Sequence, residues 1–300
     1  FSSDKNFDFF KKNSSPKVRS QKNESNKKES LKKALLELDN LIGLEDIKEI
    51  VRQYISFIQI QKLRKSYGLK KMPIVTHMIF KGNPGTGKTT VARLLADIFN
   101  ALGYLDCGQF VEAERVDLVG EYIGHTAKKT KNMIKKALGG VLFIDEAYSL
   151  ARGGEKDFGK ESIDTLVKAM EDHKENIIII MAGYKDEMED FLKTNPGLSS
   201  RFSLHLDFAD YSIEELHSIA ILMFNEREYQ LMERTKNYLY DVITLLKKDN
   251  NGNARMIRNL VEKTIRFHAN RVIKKSVISK NDLLMIKKED LILGFRQEID

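Results

Sequence analysis

The run Gly82-Asn83-Pro84-Gly85-Thr86-Gly87-Lys88-Thr89, continued by Thr90, decides how this chain folds. Its spacing is G-x-x-x-x-G-K-[ST]. A β-rich run from Val75 to Lys81 precedes it. A helical pattern from Thr89 to Leu102 follows, with Val91, Leu94, Leu95 and Ile98 at i, i+3, i+4 and i+7. A strand, a glycine-rich turn and a helix in that order form a phosphate cradle. The glycines let successive N–H groups wrap an anion, and the helix N-terminus adds positive potential. Lys88 then reaches the β- and γ-phosphates of a nucleotide, and the Thr89 hydroxyl is a ligand for Mg²⁺. The competing reading, a chance glycine-rich turn, does not account for the flanking strand and helix.

Outward from this loop the same alternation repeats. Strand signals at Phe110–Ala113, Val141–Ile144, Ile177–Ala182 and Leu204–Phe208 are separated by helical ones at Thr126–Leu138, Lys160–His173 and Asp186–Lys193. Val141–Ile144 and Ile177–Ile180 are apolar at every position, as strands covered on both faces must be. The pattern predicts an α/β fold with a parallel sheet between helices. Beyond Ser212 the strand signals stop and helical ones such as Ile257, Leu260, Val261 and Ile265 continue to the end. The expected organisation is a disordered basic segment at 1–33, an α/β nucleotide-binding domain at 34–209 and a small all-α domain at 210–300.

Composition narrows the partners. The 300 residues carry a formal net charge of +7. Residues 1–33 hold ten basic and four acidic side chains, which leaves 40 against 39 for the remainder. The excess belongs to the N-terminal segment, so the folded body lacks the broad basic footprint of a nucleic-acid binder. That segment is rich in Ser, Asn and Lys and buries too little to offset its ordering entropy. It has no apolar core of the secretory kind, and Asp4, Asp8, Glu24 and Glu29 argue against an organellar transit peptide. The longest apolar run, Ile177–Gly183, is too short to span a bilayer. A single cysteine, Cys107, allows no internal disulfide and points to a reducing, cytoplasmic setting. The scattered histidines give no zinc spacing and read as packing or surface groups.

Val141-Leu-Phe-Ile-Asp145-Glu146 is an apolar strand ending in two carboxylates. At the C-terminal edge of a parallel sheet these face the nucleotide. Asp145 is placed to hold Mg²⁺, and Glu146 to activate water as general base. The alternative is that both merely solvate a strand end.

With this pair, the phosphate cradle and a helical C-terminal part, the chain resembles the AAA+ ATPases. The runs Asp117-Leu-Val-Gly-Glu-Tyr-Ile-Gly-His-Thr126, Phe143-Ile-Asp-Glu-Ala-Tyr-Ser-Leu150 and Ala182-Gly-Tyr184 are similar to the CbxX/CfxQ family within that group. The resemblance covers about residues 38 to 295. It implies a P-loop NTPase fold with a helical lid, ATP hydrolysis with Mg²⁺, and self-assembly into a ring, by expectation a hexamer, that acts on a client protein. The family includes sporulation-type and rubisco-activating branches, and Ala151-Arg-Gly-Gly-Glu-Lys-Asp-Phe-Gly159 is closer to the former.

The resemblance also assigns residues. Gly82 to Thr90 would hold the nucleotide. Arg201, in Asn195-Pro-Gly-Leu-Ser-Ser-Arg-Phe202, falls where an arginine finger reaches a neighbour's γ-phosphate; the plainer reading is an Arg capping a helix C-terminus. Arg255, in Gly252-Asn-Ala-Arg255, matches the lid arginine that senses the γ-phosphate; the plainer reading is a surface ion pair. Tyr122 and Ile123 match an aromatic pore loop that grips a threaded polypeptide, against a tyrosine packed on a neighbouring helix. Ile42 would pack on the adenine, or serve as ordinary core. Met181-Ala-Gly-Tyr184 lacks the polar residue that many relatives carry at the end of the fourth strand, which leaves open the group that orients the attacking water. Two further function classes remain: a small-molecule kinase, which the Asp145–Glu146 pair disfavours, and a scaffold holding nucleotide as a structural ligand.

Overall fold

The computed structural model describes residues 16–70, 72, 76–122, 124–152, 158–194, 196–202, 204–249 and 252–299. The chain begins with α1 (Pro16–Asp39) and α2 (Glu45–Ser66). Then come β1 (Met78–Gly82), α3 (Lys88–Ala101), β2 (Phe110–Ala113), α4 (Arg115–Leu118), α5 (His125–Ala137) and β3 (Val141–Ile144). A 3-10 turn at Ala147–Ala151 leads to α6 (Gly159–Asp172), β4 (Ile178–Gly183), α7 (Lys185–Thr194), α8 (Pro196–Ser199) and β5 (Leu204–Phe208). The C-terminal part holds α9 (Ile213–Asn225), β6 (Gln230–Leu231), α10 (Glu233–Asp249), α11 (Asn253–Val272), α12 (Lys280–Leu284), β7 (Met285–Ile286) and α13 (Lys288–Ile299).

The first five strands form one parallel sheet in the order β2-β3-β4-β1-β5. Because all run the same way, the ends of β1, β3 and β4 open on one edge. Since β4 lies between β1 and β3, its end falls between the cradle and the Asp145–Glu146 pair. Both faces of the sheet are covered, and side chains divide by parity. Met78, Phe80, Val141, Phe143, Ile178 and Ile180 join the core under α1, α2 and α3. Ile79, Leu142, Ile144, Ile179 and Met181 join the core under α4 to α8. A period of two with both sets apolar is why these strands read as unbroken hydrophobic runs.

A third core, with Leu216, Phe224, Leu239, Ile243, Ile257 and Leu260, lies within α9 to α13. This part is helical as expected, with one addition: β6 and β7 form a two-residue parallel pair that the sequence reading missed. Pairings this short leave no alternating pattern to detect.

One expectation needs correcting. Residues 1–33 were expected to be disordered, yet α1 runs from Pro16; residues 1–15 lie outside the described residues. Ala34 and Leu38 are buried against α3, with Leu31 and Leu35 packed beside them, and this anchor supports the Lys- and Glu-rich turns that precede it. Residues 26–30 are exposed, so helix propensity and continuity with the anchored turns order them, and burial does not. No helix among the described residues is long and apolar enough to cross a membrane.

Candidate active site

The glycines of the loop after β1 adopt conformations that side chains resist. Gly85 and Gly87 have φ of 74° and 96°, and a Cβ on Gly82 would collide with the Phe208 carbonyl on β5. The loop feeds straight into α3, whose first residue is Lys88. Thr86 is fully buried and its hydroxyl donates to Asn83 O at 2.8 Å, which closes the loop on itself. The Lys88 ammonium donates to Gly82 O at 2.7 Å and to Asn83 O at 2.8 Å. Burial lowers its pKa, while the charges of Asp145 and Asp210 oppose that shift.

A cavity of about 470 Å³ opens at this edge. Gly82, Pro84, Gly85, Gly87, Lys88, Thr89 and Thr90 form its floor. Asp145 and Glu146 from the end of β3, and Gly183 and Tyr184 from the end of β4, form one side. Arg255 and Arg258 on α11 close it from above. Asp145 Oδ1 accepts the Glu146 N–H at 3.0 Å, and Glu146 has a left-handed φ of 46°. Backbone strain of this kind persists where the surroundings over-determine it. The Glu146 side chain is exposed, so the strain aims a solvent-facing carboxylate at the cavity mouth.

The donor set fits a magnesium nucleotide. Three cationic side chains ring a cavity of ligand size, and a threonine hydroxyl and a carboxylate supply the hard oxygens that Mg²⁺ takes.

The predicted residues are therefore gathered only in part. The Asn83 and Thr86 side chains belong to the loop but do not line the cavity: the Thr86 hydroxyl is on Asn83 O, and Asn83 donates to the Asp210 carboxylate at 2.9 and 3.0 Å. Ile42 does not line the cavity; it packs against the core of α9 to α13. Arg201 is also off the cavity. Within the chain it makes the plainer contact: Nη1 donates to Gly197 O of α8 at 3.1 Å, with Glu171 3.7 Å from Nη2. Tyr122 is 67% exposed, and its ring meets His125, the first residue of α5, edge-on. Ile123 lies outside the described residues.

Two groups escaped the sequence reading. Arg258 follows Arg255 by three residues, so one helical face presents both, a spacing that could have been read. Asp210, Tyr211 and Asn253, which contact the back of the loop, carry no local signal.

The profile of the ATPase family associated with various cellular activities (AAA) matches residues 78–209, and that of an AAA lid domain matches residues 212–299. Stage V sporulation protein K of Bacillus subtilis is 51% identical over 90% of this chain and 85% of its own length. A CfxQ homolog of Galdieria sulphuraria is 45% identical over 90% of each. The chloroplastic ribulose bisphosphate carboxylase/oxygenase activase of Cyanidioschyzon merolae is 42% identical over 89% of this chain and 92% of its own. Among solved structures, the FIGL-1 AAA domain in complex with ADP superposes with a TM-score of 0.60 at 17% identity, covering 86% of this chain and 82% of that one. A RuvB mutant of Thermotoga maritima gives 0.57 at 19%, covering 87% and 71%. Those two likenesses concern the fold alone.

Proposed function

Because the chain belongs to the AAA ATPases, among the relatives of stage V sporulation protein K and the CfxQ and CbxX proteins, and hydrolyses ATP, we propose that it does so as a cytoplasmic hexameric ring that remodels a client protein. The observation that carries this reading is a division of the site. Lys88, Thr89, Asp145, Glu146 and Arg255 surround one cavity, whereas Arg201 stands outside it. A guanidinium outside its own cavity supports the reading that it serves the nucleotide of a second copy.

In this reading the loop N–H groups and Lys88 hold the β- and γ-phosphates, with Arg255 and Arg258 reaching them from α11. Thr89 and Asp145 would hold Mg²⁺, which supplies neutralisation of charge on the phosphate oxygens. Glu146 accepts a proton from water as the water oxygen bonds to the γ-phosphorus and the bond to the ADP oxygen breaks. Arg201 of an adjacent copy stabilises the charge that develops on the transferred group. Tyr122, on a solvent-facing loop, contacts the client.

Turnover measured against dilution tests the shared site. The rate per subunit should fall as the assembly dissociates, and a constant rate down to monomers would overturn it. Steady phosphate release without an added acceptor separates hydrolysis from the kinase class. Turnover abolished by Glu146→Gln removes the scaffold class. For the client, the 51% likeness to the sporulation protein against 42% to the rubisco activase favours a sporulation role. Stimulation by a sugar bisphosphate would reverse that choice.

A further inference from the structure

The P-loop has a back as well as a front, and the back is pinned. Pro84 O accepts from Asn253 Nδ2 at 3.4 Å, Gly85 O from the Ala254 N–H at 3.1 Å, and Thr86 O from the Tyr211 hydroxyl at 3.2 Å. Three consecutive carbonyls are thus held by donors from the start of α11 and from the segment before α9. In a planar trans peptide the C=O of one residue and the N–H of the next point opposite ways. Fixing those three carbonyls at the back therefore aims the N–H groups of Gly85, Thr86 and Gly87 toward the front, where the cavity lies.

The pins are themselves tied together. Asp210 Oδ1 accepts from Asn83 Nδ2 at 2.9 Å and from Asn253 Nδ2 at 2.8 Å, so one oxygen joins the loop to α11. Asn253 Oδ1 accepts the Tyr211 N–H at 3.0 Å, and Lys247 donates to the Tyr211 carbonyl. Asn253 is 3% exposed and left-handed, with φ of 47°. A buried amide in that conformation persists only where its surroundings demand it. Burial pushes the Tyr211 hydroxyl up to about 12, so it remains a donor to Thr86 O at all ordinary pH. None of Asn83, Asp210, Tyr211 or Asn253 lines the cavity.

We propose that Asp210 and Asn253 are positioning residues for the nucleotide: they brace the P-loop from behind, so that the phosphate cradle is competent only while the C-terminal helices are docked. This rests on the nucleotide reading of the cavity. It adds a link between cradle and lid that does not pass through the γ-phosphate or Arg255. Loss of the brace therefore weakens ADP and ATP alike, whereas loss of Arg255 acts on ATP selectively.

The test is calorimetric titration of ADP and of a non-hydrolysable ATP analogue into the full chain, with a melting curve for each variant. Asp210→Ala and Asn253→Gly, the latter keeping the left-handed backbone, should each weaken both nucleotides about tenfold, since each removes three hydrogen bonds that are exposed or only partly buried for Asp210 and better shielded for Asn253. The double variant should be no worse than about twice either single one, because the pins form one network. Asp210→Asn should retain affinity within about threefold, since one amide oxygen can still accept from both partners. Tyr211→Phe removes one pin while keeping the ring, and a loss of about threefold is expected if it folds as the parent does. Parental affinity in Asp210→Ala, with Lys88→Ala unable to bind, overturns the brace. Asp210→Asn as impaired as Asp210→Ala also overturns it, because the role would then be charge acting on Lys88. Parental affinity in Lys88→Ala would instead overturn the nucleotide site itself, and the brace with it.

Discussion

The Lys88 ammonium lies 2.7 Å from the carbonyl of Gly82, the residue that ends β1 and begins its own loop. A second carbonyl, of Asn83, takes another of its three protons at 2.8 Å. The side chain is thereby bent back over the loop it serves, with its charge sustained by Asp145 and Asp210 against the effect of burial.

Lys88 and Glu146 should separate binding from chemistry. Lys88→Met keeps most of the stem and removes the charge, and should weaken ATP and ADP by about 100-fold, the scale of a charge-assisted phosphate contact. Glu146→Gln should bind both as the parent does and lose about 10²- to 10⁴-fold in turnover, the usual contribution of a general base. Titration and phosphate-release assays on the two variants read this directly. Equal loss of affinity in both would be inconsistent with the assignment.

Arg201, proposed to serve another subunit, donates to Gly197 O at 3.1 Å and makes only a weak ion pair within its own chain. Its partner Glu171 is 64% exposed and 3.7 Å away, and such pairs contribute under about 1 kcal/mol. Its Nε is buried without a hydrogen-bond partner among the described residues. Arg201→Ala should lower turnover by about 10³-fold or more while leaving nucleotide affinity intact. Mixing it with Lys88→Ala subunits, which cannot turn over alone, should restore activity, because each copy then supplies what the other lacks. No gain on mixing would rule out a shared site.

Gly85 answers to the C-terminal helices as well as to phosphate. A Cβ there would collide with Gly252 O and lie 2.8 Å from the Arg255 nitrogen, both backbone atoms that cannot turn aside. Gly68 has a similar φ of 70° but nothing within 4 Å of its Cβ position. Gly68→Ala should cost only the left-handed strain, about 1 kcal/mol. Gly85→Ala should cost at least about 1 kcal/mol more in chemical denaturation and weaken nucleotide binding. Equal effects would mean the contact with α11 yields easily.

His77 should make the α/β part acid-sensitive. Burial is the main cause that pushes it down to about 4 from an ordinary 6.5; its hydrogen bond with the Met170 backbone opposes the shift and the Arg201 charge assists it. Its Nδ1 accepts the Ile179 N–H at 3.1 Å, so the ring is built into the sheet in its neutral form. Between pH 6.5 and 4 the unfolded chain binds a proton that the folded chain does not. Stability therefore falls as pH is lowered through that window, by up to about 3 kcal/mol for this group, and levels off below it. His77→Asn should flatten the dependence of denaturation midpoint on pH across that range. An unchanged slope would show that other groups dominate.

The legible parts of this protein are those whose physics is local. Phe110–Ala113, Val141–Ile144 and Leu204–Phe208 were bounded correctly from β-rich patterning alone. In Gly82–Thr90, conformational freedom, charge and hydroxyl fall in a few consecutive residues. The first turns of α1, from Pro16 to Ser30, were missed because composition measures what a segment can bury on its own, whereas they continue a helix that borrows the surface of α3 through Ala34 and Leu38. For Ile42 the sequence left both the adenine and an ordinary core open, since its position before Gly43 does not say which core it joins; it packs against that of α9 to α13.

Sequence by itself determined the parallel α/β layering, the phosphate cradle and the carboxylates at the end of β3, because each depends on periodicity or spacing within one element. Only the tertiary structure decided that β4 separates β1 from β3, that Arg258 joins Arg255 over the cavity, and that Arg201 stands apart from it. It alone brought the Tyr211 hydroxyl to Thr86 O across 125 residues. A hydrogen bond needs two groups within about 3 Å and leaves no periodic trace along the chain, so its partner exists only once the cores have packed.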